Sequence, residues 1–263
     1  MAPVATTYSI VVLDIENFSA RTNPIQRSLR SAMYEVVDEA VARTLREHEG
    51  TRTHEGIRTE DRGDGILMLV PAAVSPVLLA GDFVRALDDE LKAKADIFSE
   101  AHAMRLRVAL HQGLAAPDQR GFSGDAVNFA CRLVDAQPVR DVLKAAARAR
   151  MAFIVSDEIY QGVVRHGYLA IDAAAYQRMS LVIKTGRQVT GWVTVPGYPS
   201  PPRLPGEPES ADGQEAAVVA TDTAAALAAG TTVAIRGSVE GDVFGGDKNV
   251  TVHELRAEGQ VRI

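Results

Sequence analysis

Apolar and polar positions along this chain fall into short runs whose period changes repeatedly. Residues 8–13 contain Tyr8, Ile10, Val11, Val12 and Leu13 and close on Asp14, the pattern of a strand. From Pro24 onward Leu29, Met33, Val36, Val37, Ala40, Val41 and Leu45 recur at helical spacing. Residues 66–70 (Ile66, Leu67, Met68, Leu69, Val70) form a second strand run, and the polar residues before them predict a hairpin around Asp64. A second helix is predicted over about 75–98, with Val77, Leu78, Phe83, Val84, Leu87 and Leu91 on its inner face. The strand beginning at Leu106 leads through a glycine-rich loop into a helix whose Val127, Ala130, Cys131 and Val134 point to the core. Phe153, Ile154 and Val155 precede a helix for which Ser156 is the cap. Residues 179–184 and 188–195 alternate and read as a hairpin turning at Gly186, with Trp192 in the core. Strands and helices alternating in this way predict an α/β sandwich, with helices packed on a mostly antiparallel sheet.

After Val195 the composition changes. Half of the 12 prolines lie in 196–208, which predicts an extended, semi-rigid linker. An alanine-rich polar stretch follows. Residues 232–252 then combine apolar alternation with glycine, a pattern whose copies pair readily with one another. The expected organisation is a folded domain over 1–196, a Pro/Ala-rich linker over 197–231 and a glycine-rich, β-prone tail over 232–263. That tail is either an assembly or partner-recruiting segment, or an irregular end.

With 263 residues, 46% of them hydrophobic, the chain can bury a core. A net charge of −6 with dispersed Lys and Arg argues against a nucleic-acid partner. Cys131 is the single cysteine; it excludes internal disulfides and fits a reducing cytoplasm. No apolar run reaches the length of a membrane span. No basic region precedes the first apolar run, so a cytoplasmic location without a signal peptide is expected.

Two carboxylates carry the candidate chemistry. Asp14 closes the first strand run, and Asp64 lies about fifty residues later in Glu60-Asp61-Arg62-Gly63-Asp64-Gly65. Strands paired in one sheet can place two such ends side by side. Adjacent carboxylates repel unless a cation lies between them, and hard oxygen donors suit Mg²⁺ or Mn²⁺. Asp-Gly is equally an ordinary turn signal, so the residues alone leave both readings open. Asn128 and Arg132 share one helix face. An amide beside a guanidinium suits a sugar and a polyphosphate, and a solvated face is the alternative. The six histidines show no metal-ligand spacing; His111, at the end of a core strand, is expected to be a hydrogen-bonded structural residue.

The order and spacing of Asp14-Ile15-Glu16-Asn17-Phe18, Gly63-Asp64-Gly65 and Gly124-Asp125-Ala126-Val127-Asn128 followed by Arg132 resemble the catalytic domain of class III nucleotidyl cyclases, over about residues 6–196. The resemblance implies a ferredoxin-like sandwich. It implies two Mg²⁺ or Mn²⁺ ions held by Asp14, Asp64 and the Ile15 carbonyl, Phe18 beside the triphosphate, Asn128 on the ribose and Arg132 at the α-phosphate. Lys184 falls where the family has a triphosphate-binding lysine, although Thr185-Gly186-Arg187 replaces the glycine-lysine pattern that follows it. The implied reaction is a lyase reaction on a nucleoside triphosphate: the ribose 3′-oxygen attacks the α-phosphate and pyrophosphate leaves. The implied active form is a homodimer with composite active sites. The family's base-reading positions fall on Glu60 and Gly121, which disfavours ATP. Residues 58–65 also resemble compact bacterial cyclases of antiphage (Pycsar) systems, implying cyclic UMP or cyclic CMP as a second messenger. A guanylate cyclase is one alternative, since Glu60 also fits guanine. The other is a non-catalytic nucleotide-binding module that recruits an effector protein through its C-terminal tail.

Overall fold

The computed structural model describes residues 4–46, 56–118, 121–182 and 186–204. Its strands are β1 (Thr6–Ile15), β2 (Arg58–Asp61), β3 (Gly65–Pro71), β4 (Leu106–Asp118), β5 (Gly121–Ser123), β6 (Met151–Ser156), β7 (Gln177–Val182) and β8 (Gln188–Thr194). Its α-helices are α1 (Asn23–Arg46), α2 (Pro76–Leu78), α3 (Val84–Ile97), α4 (Asp125–Val134), α5 (Gln137–Ala145) and α6 (Asp157–Gly162). One sheet runs in the order β2-β3-β1-β4-β6-β8-β7, and β5 pairs with the far end of β4. The β4–β6 pair is parallel and the other pairs are antiparallel. The order β2-β3-β1-β4, with α1 crossing from β1 to β2 and α3 joining β3 to β4, is the split βαβ arrangement of ferredoxin-like folds.

Alternate residues of β1 enter two separate cores. Val11, Leu13 and Ile15 pack with Leu29, Met33 and Val36 of α1 and Leu87 of α3. Ile10 and Val12 pack with Val127 and Leu133 of α4 and Val139 and Leu143 of α5. Helices therefore cover both faces of the central strands, which is why those strands read as unbroken apolar runs instead of alternating ones.

The helix expected over 75–98 is present with an unexpected device. Ser75 Oγ accepts from the Val77 N–H at 3.2 Å, and α2 passes through a wide π-turn at Leu79–Phe83 into α3. Ser156 caps α6 as expected, accepting from the Ile159 N–H at 3.4 Å. Trp192 is half-buried instead of fully in the core: it stacks on Tyr160 with centroids 3.5 Å apart and donates to Asp157 Oδ1 at 2.8 Å. On α4 the core position is Leu133, while Cys131 sits half-buried at the margin. A stripe of 127, 130, 133 and 134 centres the buried face one residue away from Cys131.

The described residues belong to a unit spanning Met1–Gly206. Tyr198 and Leu204 pack against the α4-side core, and the Tyr198 hydroxyl accepts from the Arg148 N–H at 3.3 Å. The proline-rich segment thus begins as packed chain. The rest of the expected linker and the whole β-prone tail lie outside the described residues. Among those described, no helix is long and apolar enough to cross a membrane.

Ser9, on the same side of β1 as Val11, is fully buried and its hydroxyl has no hydrogen-bond partner. An unpaired buried hydroxyl costs free energy without return. Ser9→Ala is expected to stabilise the fold by about 1 kcal/mol, read as a rise in the urea midpoint at unchanged m-value. A lower midpoint would show that the hydroxyl is paired.

Candidate active site

The β1–β3 register sets Asp14 opposite Gly65, and the Ile15 N–H donates to the Asp64 carbonyl at 2.9 Å. Asp14 and Asp64 are thereby brought to adjoining positions at one end of the sheet. Gly65 does more than mark a turn. A Cβ there would lie 2.2 Å from the Leu13 carbonyl oxygen, so only glycine lets β3 begin this close to β1. The turn itself is shaped by Asp61, whose Oδ1 accepts from the Gly63 N–H at 2.7 Å, and by Gly63 at φ 87°.

Arg107 on β4 lies directly across from Asp14 and forms an ion pair with its Oδ2. The two side chains are 8% and 14% exposed, respectively. Burial pushes the Asp14 carboxyl up from 3.8 to about 6, with Arg107 opposing the rise and the Asp64 carboxylate adding to it. Two residues along, Glu16 pairs with Arg105 at 3.5 Å. Arg105 Nη2 also donates to the Ala146 carbonyl at 3.1 Å and to the Leu143 carbonyl, fastening this end of β1 to the end of α5. Phe18 lies in the following turn and packs against the α1-side core.

Asp14 and Asp64 bring two carboxylates, hard oxygen donors of the kind that suit Mg²⁺ or Mn²⁺, to adjoining positions. No cluster of three or more His, Cys, Asp or Glu that could hold a metal occurs among the described residues. Two carboxylates, with the remaining positions left to water and phosphate, is the usual way proteins bind Mg²⁺.

The expected base-reading positions touch. Gly121 has φ 149°, and a Cβ on it would lie 2.3 Å from Glu60 Oε1. Glu60 Oε1 is buried without a hydrogen-bond partner, and Oε2 faces Arg62 at 3.6 Å. The three-residue β5 delivers Gly121 to this spot.

Arg132 lines a cleft of about 900 Å³ together with His111, Ser123, Phe129, Glu158 and Arg187. Neither Asp14 nor Asp64 lines it. Asn128 is exposed on α4. Two glycines set the helix close to the sheet: a Cβ on Gly113 would meet Ala126 Cβ at 2.5 Å, and one on Gly124 would meet the Leu114 carbonyl at 2.8 Å. Lys184 lies outside the described residues. His111 is structural as expected, with Nδ1 2.9 Å from Ser156 Oγ and Phe129 edge-on at 4.7 Å, yet it also walls the cleft.

Arg107 and Arg187 were not anticipated from the sequence. Arg107 carries a usable signal: a lone charge inside the apolar run 106–110 must be paired when buried. Arg187 carries none beyond its place after a turn glycine.

No protein-family model and no curated protein matches the chain. Among solved structures it is similar to an adenylate/guanylate cyclase/hydrolase from Silicibacter pomeroyi, at 18% identity over 73% of this chain and 98% of that one, with a TM-score of 0.49. The catalytic core of a rhodopsin-guanylyl cyclase with converted specificity, in complex with ATPαS, matches at 22% identity over 73% and 98%, with a TM-score of 0.47. A bacterial light-regulated adenylyl cyclase matches at 14% identity and a TM-score of 0.48 over 74% of this chain, which spans 54% of that one.

His111 gives a pH test. Burial lowers its pKa below 6.5, with Glu158 opposing. The unfolded chain then binds this proton more readily than the folded one. The stability contributed by the neutral ring is complete above pH 6.5 and is lost as pH falls through the folded value. In His111→Gln the loss of stability between pH 7 and pH 5 should be smaller than in wild type, by urea unfolding at each pH. Equal losses in the two proteins would contradict the burial argument.

Proposed function

We propose that this chain is a metal-dependent nucleotidyl cyclase, converting a nucleoside triphosphate into a 3′,5′-cyclic nucleotide and pyrophosphate. The observation that carries this reading is the convergence of Asp14 and Asp64, distant in sequence, at one end of β1 and β3 beside the buried Arg107. In this reading Asp14, Asp64 and the Ile15 carbonyl hold Mg²⁺ or Mn²⁺, which when bound neutralises the polyphosphate. Asn128 orients the ribose. Arg132 meets negative charge as it develops at the α-phosphate, where a preorganised donor counts most. Lys184 and Arg187 hold the outer phosphates, and Phe18 lies beside the triphosphate. The cleft of Arg132 contains neither carboxylate, so the reading assigns each site to two chains: Asp14 and Asp64 from one, Asn128 and Arg132 from its two-fold mate.

The favoured base is a pyrimidine. Guanine presents two adjacent N–H donors and takes both oxygens of a carboxylate. Glu60 Oε1 is buried against Gly121 and out of a base's reach, so Oε2, which faces Arg62 at 3.6 Å, is the oxygen left to offer. One acceptor suits the single N–H of uracil or one amine hydrogen of cytosine. A messenger role in antiphage defence, and recruitment of an effector protein through 232–263, are carried by the resemblance of residues 58–65 and by the tail's composition.

Purified full-length protein incubated separately with ATP, GTP, UTP and CTP plus Mn²⁺ should yield cyclic UMP or cyclic CMP as the main product by mass. Cyclic AMP or cyclic GMP as the main product refutes the base reading. Nucleotide binding without any product refutes the enzyme and favours the binding module. Asp14→Asn and Asp64→Asn should each lower turnover by about 100-fold or more with folding intact.

Composite sites make a separate prediction. Inactive Asp14→Asn and inactive Arg132→Ala proteins should regain activity when mixed, because one site of the mixed dimer contains both lesions and the other neither. Inactivity at every ratio, with heterodimers demonstrated by co-purification of differently tagged variants, would sink the two-chain site.

A further inference from the structure

We infer that Lys144, Arg148 and Arg150 form a steering patch that draws the polyphosphate of an incoming nucleotide to the carboxylate end of the sheet. The inference rests on the cyclase reading above and adds to it the route by which the substrate arrives.

The patch belongs to the segment that closes α5 and opens β6. Residues 144–150 read Lys144-Ala145-Ala146-Ala147-Arg148-Ala149-Arg150, with no acid among them. Ala146 and Ala149 are buried, which turns the basic side chains outward: Lys144 and Arg148 are exposed and Arg150 is half-buried. The course of the segment is fixed by its backbone. The Ala149 N–H donates to the Ala146 carbonyl at 2.9 Å, the Arg148 N–H donates to the Tyr198 hydroxyl at 3.3 Å, and the Arg150 carbonyl accepts from the Leu106 N–H at 2.9 Å. Leu106 pairs with Ile15 on one side and Met151 on the other, so the patch stands at the sheet end that holds Asp14 and Asp64. Arg105 ties the two together, reaching the Leu143 and Ala146 carbonyls as well as Glu16.

A nucleoside triphosphate approaches a chain with a net charge of −6, and two carboxylates stand at its destination. Most acids around that end are already neutralised within the fold: Asp14 by Arg107, Glu16 by Arg105, Glu60 by Arg62, Asp61 by Arg30 and Asp135 by Arg140. Asp64 and Glu100 have no ion pair among the described residues, and Asp141, one turn before Lys144 on α5, is bonded to Gln137 at 2.8 Å. Lys144, Arg148 and Arg150 have no acid partner among the described residues either. Arg21, held by the Ala101 and Ala103 carbonyls, adds positive charge on the Glu100 side. The uncancelled cations are therefore gathered beside the site. An unpaired charge acts over about a Debye length, about 10 Å at 0.1 M salt, whereas the field of a closed ion pair falls away faster. Such a field speeds the arrival of an anion without having to touch it once bound.

The test measures binding rates, not turnover, by stopped flow on full-length protein with Mg²⁺. The probe is a 3′-deoxynucleoside triphosphate with a fluorescent methylanthraniloyl group on its 2′-oxygen, which cannot be cyclised; of its UTP, CTP, GTP and ATP forms, the one wild type binds best is used. At about 0.01 M salt, where the Debye length is about 30 Å, Lys144→Gln/Arg148→Gln/Arg150→Gln should lower the association rate constant roughly tenfold and leave the dissociation rate constant unchanged. At about 1 M salt the difference should vanish. Lys144→Arg/Arg148→Lys/Arg150→Lys should associate like wild type, since a field requires charge and not shape. Arg43→Gln/Arg46→Gln/Arg85→Gln makes the same change in net charge at the far end of α1 and the start of α3, and it should associate nearly as fast as wild type. An unchanged association rate in the first variant, an equal loss in the last, a loss that persists at high salt, or an effect on dissociation alone overturns the inference while the cyclase reading stands. Wild type that binds the probe as expected of the patch but makes no product from any unmodified triphosphate overturns the enzyme and leaves the patch. Wild type that binds none of the four forms overturns both.

Discussion

The pairing of β1 with both β3 and β4 is the constraint from which the rest of the molecule follows. Side chains alternate along a strand, so a slip of one residue exchanges its two faces. Here such a slip would turn Asp14 toward the core now filled by Val11, Leu13 and Ile15, where a carboxylate would have no partner. The register is held by the fit of Ile10 and Val12 on one side and Leu13 on the other. It is also held by Gly65, whose hydrogen lies where any side chain would strike the Leu13 carbonyl. Once β1 is fixed, the positions of Asp64, Arg107, Glu16 and Arg105 are fixed with it.

This end of the sheet is not arranged for stability. Burying the Asp14–Arg107 pair sacrifices hydration that their attraction only partly returns. Asp14 shows the balance directly: burial outweighs Arg107, and its pKa rises to about 6. A carboxyl raised in the folded state favours folding while protonated, and that contribution is lost as pH climbs through about 6. At neutral pH the folded chain thus carries an ionised carboxylate it would hold more cheaply as the acid.

Much of the fold was legible because it depends on local pattern. α1 announced itself through apolar residues at helical spacing, and β1, β3 and β6 through runs too apolar to lie on a surface. The Asp14–Asp64 convergence was legible because both residues terminate such runs. What escaped the sequence depends on contacts between distant segments. Gly121 beside Glu60 was expected from the family resemblance alone; the β5 strand that produces the contact is three residues long and has no pattern of its own. The π-turn at Leu79–Phe83 leaves the apolar spacing of a helix nearly unchanged. Leu133 replaced Cys131 as a core position because a rotation of one residue about the axis of α4 alters the buried stripe by less than the spacing rule resolves. Arg187 enters the cleft through the fold of the β7–β8 hairpin, and nothing in its neighbours foretells which way that hairpin leans.

The last constraint concerns α4. Its inner stripe must pack on Ile10, Val12 and Ala109, and Gly113 and Gly124 let its first turn approach β4 closely. That packing fixes the rotation of the helix, and the rotation leaves Asn128 exposed and Arg132 in the cleft. The same helix cannot turn both residues toward the chain's own carboxylates without withdrawing Val127, Ala130 and Leu133 from the core. Burying a Val or Leu side chain is worth about 1.5–3 kcal/mol, so Val127 and Leu133 alone oppose that rotation by several kcal/mol. Under the cyclase reading, completing the site with a second copy is therefore the low-cost solution. It leaves both cores intact and asks only that two outward-facing surfaces meet.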